Sequence, residues 1–118
     1  MTEAFSPDAF VHDWLRDWNN HDLEAIVDHF TDDVVFASPL ATQLFPASFG
    51  VVRGKSALRE CWTQGLRRNP NLLFVLEGFY VGVGIIVINY LNESGARVCE
   101  VLEFDGDRVA RGYATYQT

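Results

Sequence analysis

Residues 85–117 read IIVINYLNESGARVCEVLEFDGDRVARGYATYQ, and the punctuation of this stretch decides the fold. Runs rich in β-branched and aromatic residues at 85–91, 96–104 and 108–117 are separated by Asn92-Glu93-Ser94-Gly95 and Asp105-Gly106-Asp107. Gly and Asx residues tolerate the positive φ of hairpin turns, so each separator predicts an antiparallel reversal. Upstream, residues 72–81 have the same strand composition, and Gly82 and Gly84 mark their connection to the run at Ile85. The final third is therefore a meander of antiparallel strands.

Working back from it, helical signals take over. Ser6-Pro7 starts a helix, because the hydroxyl can cap orphan N–H groups and proline is pre-set for the first turn. Phe10, Val11, Trp14, Leu15 and Trp18 recur at helical spacing over residues 7–18, and Asn19-Asn20-His21 breaks the pattern. Asp22 caps a shorter second helix with Leu23, Ile26, Val27 and Phe30 inward. Thr31-Asp32-Asp33 feeds a short strand over 34–37. A third helix spans 55–68, with Ala57, Leu58, Cys61, Trp62, Gly65 and Leu66 inward, and Asn69-Pro70 stops it. Residues 38–53 form a long connection, unusually apolar at Leu40, Leu44, Phe45 and Phe49, and are expected to fold over something. Helices first and strands last give an α+β domain, with helices on one face of a curved sheet.

The size and charge of the chain exclude several classes. With 118 residues it holds one domain, burying about two thirds of its unfolded surface. The longest apolar stretch, residues 81–88, is far short of the roughly 20 residues a membrane-spanning helix needs. Glu3, and the lack of a basic residue before Arg16, do not fit a secretory signal, which makes a soluble cytoplasmic protein the expectation. Two cysteines are too few for a disulfide framework or a zinc site. Net charge is −7, and residues 1–33 hold nine acids against one base. That sign repels phosphate, so neither nucleic acid nor an anionic membrane is an expected partner. The cluster Arg53, Lys55, Arg59, Arg67 and Arg68 reads as a solvated helix face.

Several strings carry a family resemblance: Trp18-Asn19-Asn20-His21-Asp22-Leu23-Glu24-Ala25-Ile26, Phe30-Thr31-Asp32-Asp33-Val34 and Ser38-Pro39. Arg53-Gly54-Lys55-Ser56-Ala57-Leu58-Arg59 and Glu103-Phe104-Asp105-Gly106-Asp107-Arg108-Val109 continue the series over nearly the whole chain. In this order the chain resembles the SnoaL-like branch of the nuclear transport factor 2 superfamily. The resemblance implies a cone-shaped, cystatin-like α+β barrel. A bent, antiparallel-rich sheet would wrap three N-terminal helices and leave a mostly apolar pocket open at one end. Members include ketosteroid isomerases, polyketide cyclases, limonene epoxide hydrolases, dehydratases and non-catalytic binding proteins, so pocket residues must decide function. The resemblance also implies a homodimer through the outer sheet face, where Arg111, Tyr113 and Thr115 would point.

Steroid isomerisation needs a carboxylate base, with a Tyr and a protonated Asp holding the enolate oxygen. By resemblance the Tyr position falls on Trp14, the base on Ser38, the protonated acid on Glu100 and a supporting Tyr on Trp62. A serine without a partner base accepts protons poorly, so that reaction is not expected. Limonene epoxide hydrolysis would need an Asp–Arg–Asp set that the inward positions do not offer.

Glu100 is the informative residue. Strand alternation puts Val98, Glu100, Leu102 and Phe104 on one, largely apolar face. Desolvation there would raise the carboxyl's pKa, preparing it for acid–base work near neutrality; a salt bridge to an arginine, or a structural hydrogen bond that the carboxyl orients, is the alternative. Trp14 and Ser38 are expected to hold a substrate oxygen. Trp18, Phe36, Phe45, Trp62 and Tyr116 are expected to line the cavity beside Leu102, with Gly112 leaving room for a ligand. His29 stands near Asp32 and Asp33, either as a catalytic pair or as a surface helix end. No histidine pair has metal-ligand spacing, so neither metal nor cofactor is expected. The reading is a cofactor-independent isomerase, cyclase or dehydratase acting on an apolar, oxygenated small molecule. The alternative is a non-catalytic binding or dimerisation module on the same fold.

Overall fold

The computed structural model describes residues 1–118. Ser6 opens the first helix as its position predicts, its Oγ accepting the Ala9 N–H at 3.2 Å. This helix, α1 (Pro7–Asn19), is followed by α2 (Leu23–Asp28), capped by Asp22. The chain continues through β1 (Phe30–Ala37), α3 (Pro39–Leu44), a 3₁₀ turn (Pro46–Ser48), β2 (Val51–Arg53) and α4 (Lys55–Arg68). The meander follows as β3 (Val75–Gly82), β4 (Ile85–Leu91), β5 (Arg97–Asp105) and β6 (Arg108–Tyr116).

The strands form one sheet in the order β2-β1-β6-β5-β4-β3. Every pairing is antiparallel except β1 with β6, which is parallel. β2 and β3 are the two edge strands and do not pair with one another, so the cone is a curled open sheet and not a closed barrel. Register shifts at Leu76/Gly78 and Glu103/Phe104 mark bulges, the device that bends a strand and tightens its twist. On the inner face Ile86, Ile88, Tyr90, Val98 and Leu102 bury against Val11, Trp14, Trp18, Leu58 and Trp62 of the helices.

The sequence expectations hold for the order of elements and need correcting in three places. The connection at 38–53 is not a plain loop, because Ser38-Pro39 starts α3 and residues 51–53 pair with β1 as an edge strand. The helix at 55–68 is consequently the fourth. β1 begins at Phe30, where the Val109 N–H donates to the His29 carbonyl and draws the chain onto β6. β3 begins at Val75 and not at residue 72. The Asn19 side chain holds Phe74 by its backbone, donating to its carbonyl at 3.0 Å and accepting its N–H at 2.7 Å. The His21 Nε2–H likewise donates to the Leu72 carbonyl at 2.9 Å. These main-chain groups are spent on the α1 corner and cannot join the ladder.

Phe36 lies across Gly112 where β1 meets β6. A Cβ on Gly112 would stand 2.5 Å from the Phe36 ring and 3.4 Å from Leu102. The ring cannot swing away, since Phe30 and Trp62 pack edge-on against it at centroid distances of 6.1 and 5.4 Å. Gly112→Ala is therefore expected to cost about 1–3 kcal/mol by overpacking. Urea denaturation checks it, and adding Phe36→Leu to Gly112→Ala should recover part of the loss.

Candidate functional site

The inner face of the sheet and the helices enclose a cavity of about 160 Å³ at the open end of the cone. Trp18 from α1, Phe36 from β1 and Trp62 from α4 form its deep wall, with Tyr90, Val98 and Glu100 from the sheet. Leu40 of α3 forms one side, seated on α4 at Gly65, where a Cβ would approach its Cδ2 to 3.0 Å. The apolar insertion thus does fold over something, through Leu40. Asn69, Asn92, Glu93 and Tyr116 stand at the more exposed mouth.

Glu100 is only 6% exposed. Its Oε1 accepts the Tyr90 hydroxyl at 3.0 Å. None of the ion pairs in the structure includes it, so of the two structural alternatives the salt bridge is overturned and a hydrogen bond, to Tyr90, is present. Burial pushes the carboxyl up from 4.5 to about 7, with the Tyr90 hydrogen bond pulling weakly the other way. The Tyr90 phenol is driven well above its ordinary value by burial and by the Glu100 charge, so it stays a donor. Burial and Glu100 also raise Tyr116. Trp18 lines the cavity and its buried Nε1–H has no partner. Ser38 lines it as well, but its Oγ accepts the Ala41 N–H at 3.2 Å as the cap of α3.

Of the residues expected at the site, Glu100, Ser38, Trp18, Phe36, Trp62 and Tyr116 meet around this one cavity. Four do not. Trp14 lies one turn deeper along α1, wholly buried, with Phe74 stacked on it at 5.8 Å and Tyr90 at 5.6 Å. Leu102 is wholly buried in the core, two residues beyond Glu100. Gly112 leaves room for Phe36 and not for a ligand. Phe45 faces a separate shallow depression beside Val52 and Ala57, because α3 carries Leu40 inward instead.

Tyr90 is the residue at this site that the sequence analysis does not single out. The hairpin register held the signal: Ile88 opposes Glu100 and Tyr90 opposes Val98, which makes Tyr90 a diagonal neighbour of Glu100 on the same face. The carboxylate partner of His29 was also misjudged. Its Nε2–H donates to Oδ2 of buried Asp17 at 2.8 Å, far from Asp32 and Asp33 in role, and binds the end of α2 to α1. Two of the basic residues are spent on ion pairs, Arg59 with Glu24 and Lys55 with Asp32.

A curled sheet enclosing helices, with a buried carboxyl at the wall of an apolar cavity, is the nuclear transport factor 2-like fold. The model for the SnoaL-like domain matches residues 11–112, and the chain belongs to that family. It is similar to a SnoaL-like protein of Burkholderia thailandensis at 34% identity and TM-score 0.88, covering 100% of this chain and 99% of that one. The fold is also that of TerC co-crystallised with polyporic acid, at 12% identity and TM-score 0.77 over 95% and 92% of the two chains. A Sinorhizobium meliloti protein provisionally named a polyketide cyclase shares it at 14% identity and TM-score 0.75, over 93% and 95%. No curated protein sequence matches the chain significantly.

The position of Glu100 has a thermodynamic signature. Its folded value lies above its unfolded one, so folding favours the protonated form. That stability is complete below about pH 4.5 and is lost as pH rises through about 7. Glu100→Gln keeps a neutral side chain and is expected to abolish the fall. Denaturant unfolding at both ends of this window should show wild type losing on the order of 3 kcal/mol relative to the variant.

Proposed function

We propose that the protein binds an apolar, oxygenated small molecule in this cavity and moves a proton on it through Glu100. The observation that carries the reading is a buried carboxyl whose hydrogen-bonding partner is a neutral phenol, at the wall of an apolar cavity. With its pKa near 7, both protonation states are populated at neutral pH, which suits a general acid–base group. Tyr90 orients the carboxyl through Oε1, while Oε2 makes no hydrogen bond and is left to meet the substrate. The Ser38 hydroxyl proton is the donor for the substrate oxygen, and Trp18 takes the place at the cavity wall that sequence alone gave to Trp14. The reaction class is isomerisation, cyclisation or dehydration, in which a proton leaves one position and returns at another with no cofactor. A polyketide cyclase name among proteins of the same fold agrees with that class.

A non-catalytic binding module is the rival, favoured by the absence of a carboxylate at position 38. Screening oxygenated terpenoid and polyketide fragments for turnover separates the two. Glu100→Gln should lower kcat by about 10² or more while leaving binding near wild type, the effect of removing one acid–base group. Binding without turnover in wild type would favour the module.

We also propose that the outer face of the sheet is closed by a second copy of the chain. No helix covers this face, where Tyr80 opposes Val87 and Val101 opposes Tyr113. Phe49 is 90% exposed, sits in the left-handed region at φ 54°, and shares a shallow depression with Tyr113. An exposed aromatic in a strained conformation, beside a sheet face where Tyr80, Val87, Val101 and Tyr113 stand among charged residues, fits an interface. Sedimentation should give about twice 13.3 kDa for wild type and the monomer mass for Tyr113→Asp.

A further inference from the structure

We infer that the cavity selects an uncharged compound built on a single ring with one ketone or hydroxyl oxygen, and turns away carboxylates and fused polycycles. The inference rests on the reading of this cavity as a ligand site, and adds the size and charge of what it takes.

Size comes first. A cavity near 150 Å³ accommodates benzene, so about 160 Å³ holds one ring with a short substituent. The walls leave little room to yield. The deep end is stopped by Phe36, wedged over Gly112 with Trp62 edge-on against it. One side is stopped by Leu40 against Gly65. Phe74 closes another, its backbone clamped at both polar groups by Asn19 and its ring 4.1 Å from that of Tyr90. A fused polycycle would have to displace this packed aromatic shell or extend past the polar mouth into water.

Charge comes second. Two carboxyls line the cavity, Glu100 within and Glu93 at the mouth, and no Lys, Arg or His joins them. An anionic guest would give up its hydration and receive no compensating cation, with like charge nearby. A neutral carbonyl or hydroxyl meets no such penalty. The Ser38 hydroxyl and the protonated form of Glu100 are both donors to such an oxygen.

Three probes that absorb at most weakly near tryptophan excitation test this, with inner-filter correction: 4-methylcyclohexanone, cyclohexanecarboxylate and a tetracyclic androstanone. Trp18 and Trp62 in the wall report occupancy by fluorescence at neutral pH. The monocyclic ketone is expected to quench saturably, with the carboxylate and the tetracycle each at least about tenfold weaker. Leu40→Ala should strengthen the tetracycle relative to the ketone, and Glu93→Gln combined with Glu100→Gln should narrow the gap between ketone and carboxylate. A tetracycle or carboxylate that matches the ketone in wild type overturns the selectivity and leaves the ligand site standing. Silence from all three probes, and from the variants, overturns the ligand-site reading together with this one.

Discussion

The contact of Phe36 with Gly112 sits where the helical half of the molecule and the meander are joined into one sheet. The helical half reaches the sheet through β1, and the meander ends in β6; the two meet as the sheet's one parallel seam. At that seam a missing side chain on one strand is filled by an aromatic ring from the other. The ring in turn supports Trp62 and Phe30, and through Trp62 the edge of Trp18 at 5.0 Å. The deep wall of the cavity is thus a by-product of how the sheet is closed onto the helices. Any change at the seam is felt at the site because packed interiors transmit displacement instead of absorbing it.

The electrostatics of the cavity follow from the same packing. Glu100 occupies a position that alternation along β5 makes inward, among Val98 and Leu102. Most buried acids are tolerated because a cation is near, yet here a phenol is the partner. A phenol satisfies one oxygen without fixing the charge, so the carboxyl keeps two accessible states. Pairing with a guanidinium would have locked it into one. The molecule gives up stability at neutral pH to hold a group that can change its protonation.

Much of this was legible in the sequence because the decisive signals are local. Hairpin turns, caps and alternation depend on neighbours in the chain, and they located the meander, the inward face of β5 and Glu100 upon it. Residues set by long-range register were harder to see. Trp14 and Trp18 share one helical stripe, and periodicity could not say which of them meets the open end. Gly112 was rightly read as making space, but what fills the space comes from a strand 76 residues earlier. Phe45 is the residue of the 38–53 connection that sequence places at the cavity, but the fold of α3 turns Leu40 toward it and Phe45 away. Tyr90 gained its meaning only from the residue diagonally across the ladder.

The Asn19 clamp has a consequence of another kind. It grips the main chain of Phe74 and leaves the side chain out of the bargain. Position in space and chemical character are thereby decoupled along this wall: the strand entry stays where the α1 corner holds it, whatever residue 74 happens to be. His21 does the same for residue 72 through its carbonyl. Substitution at these two positions can therefore reshape the cavity wall while the frame around it stays put.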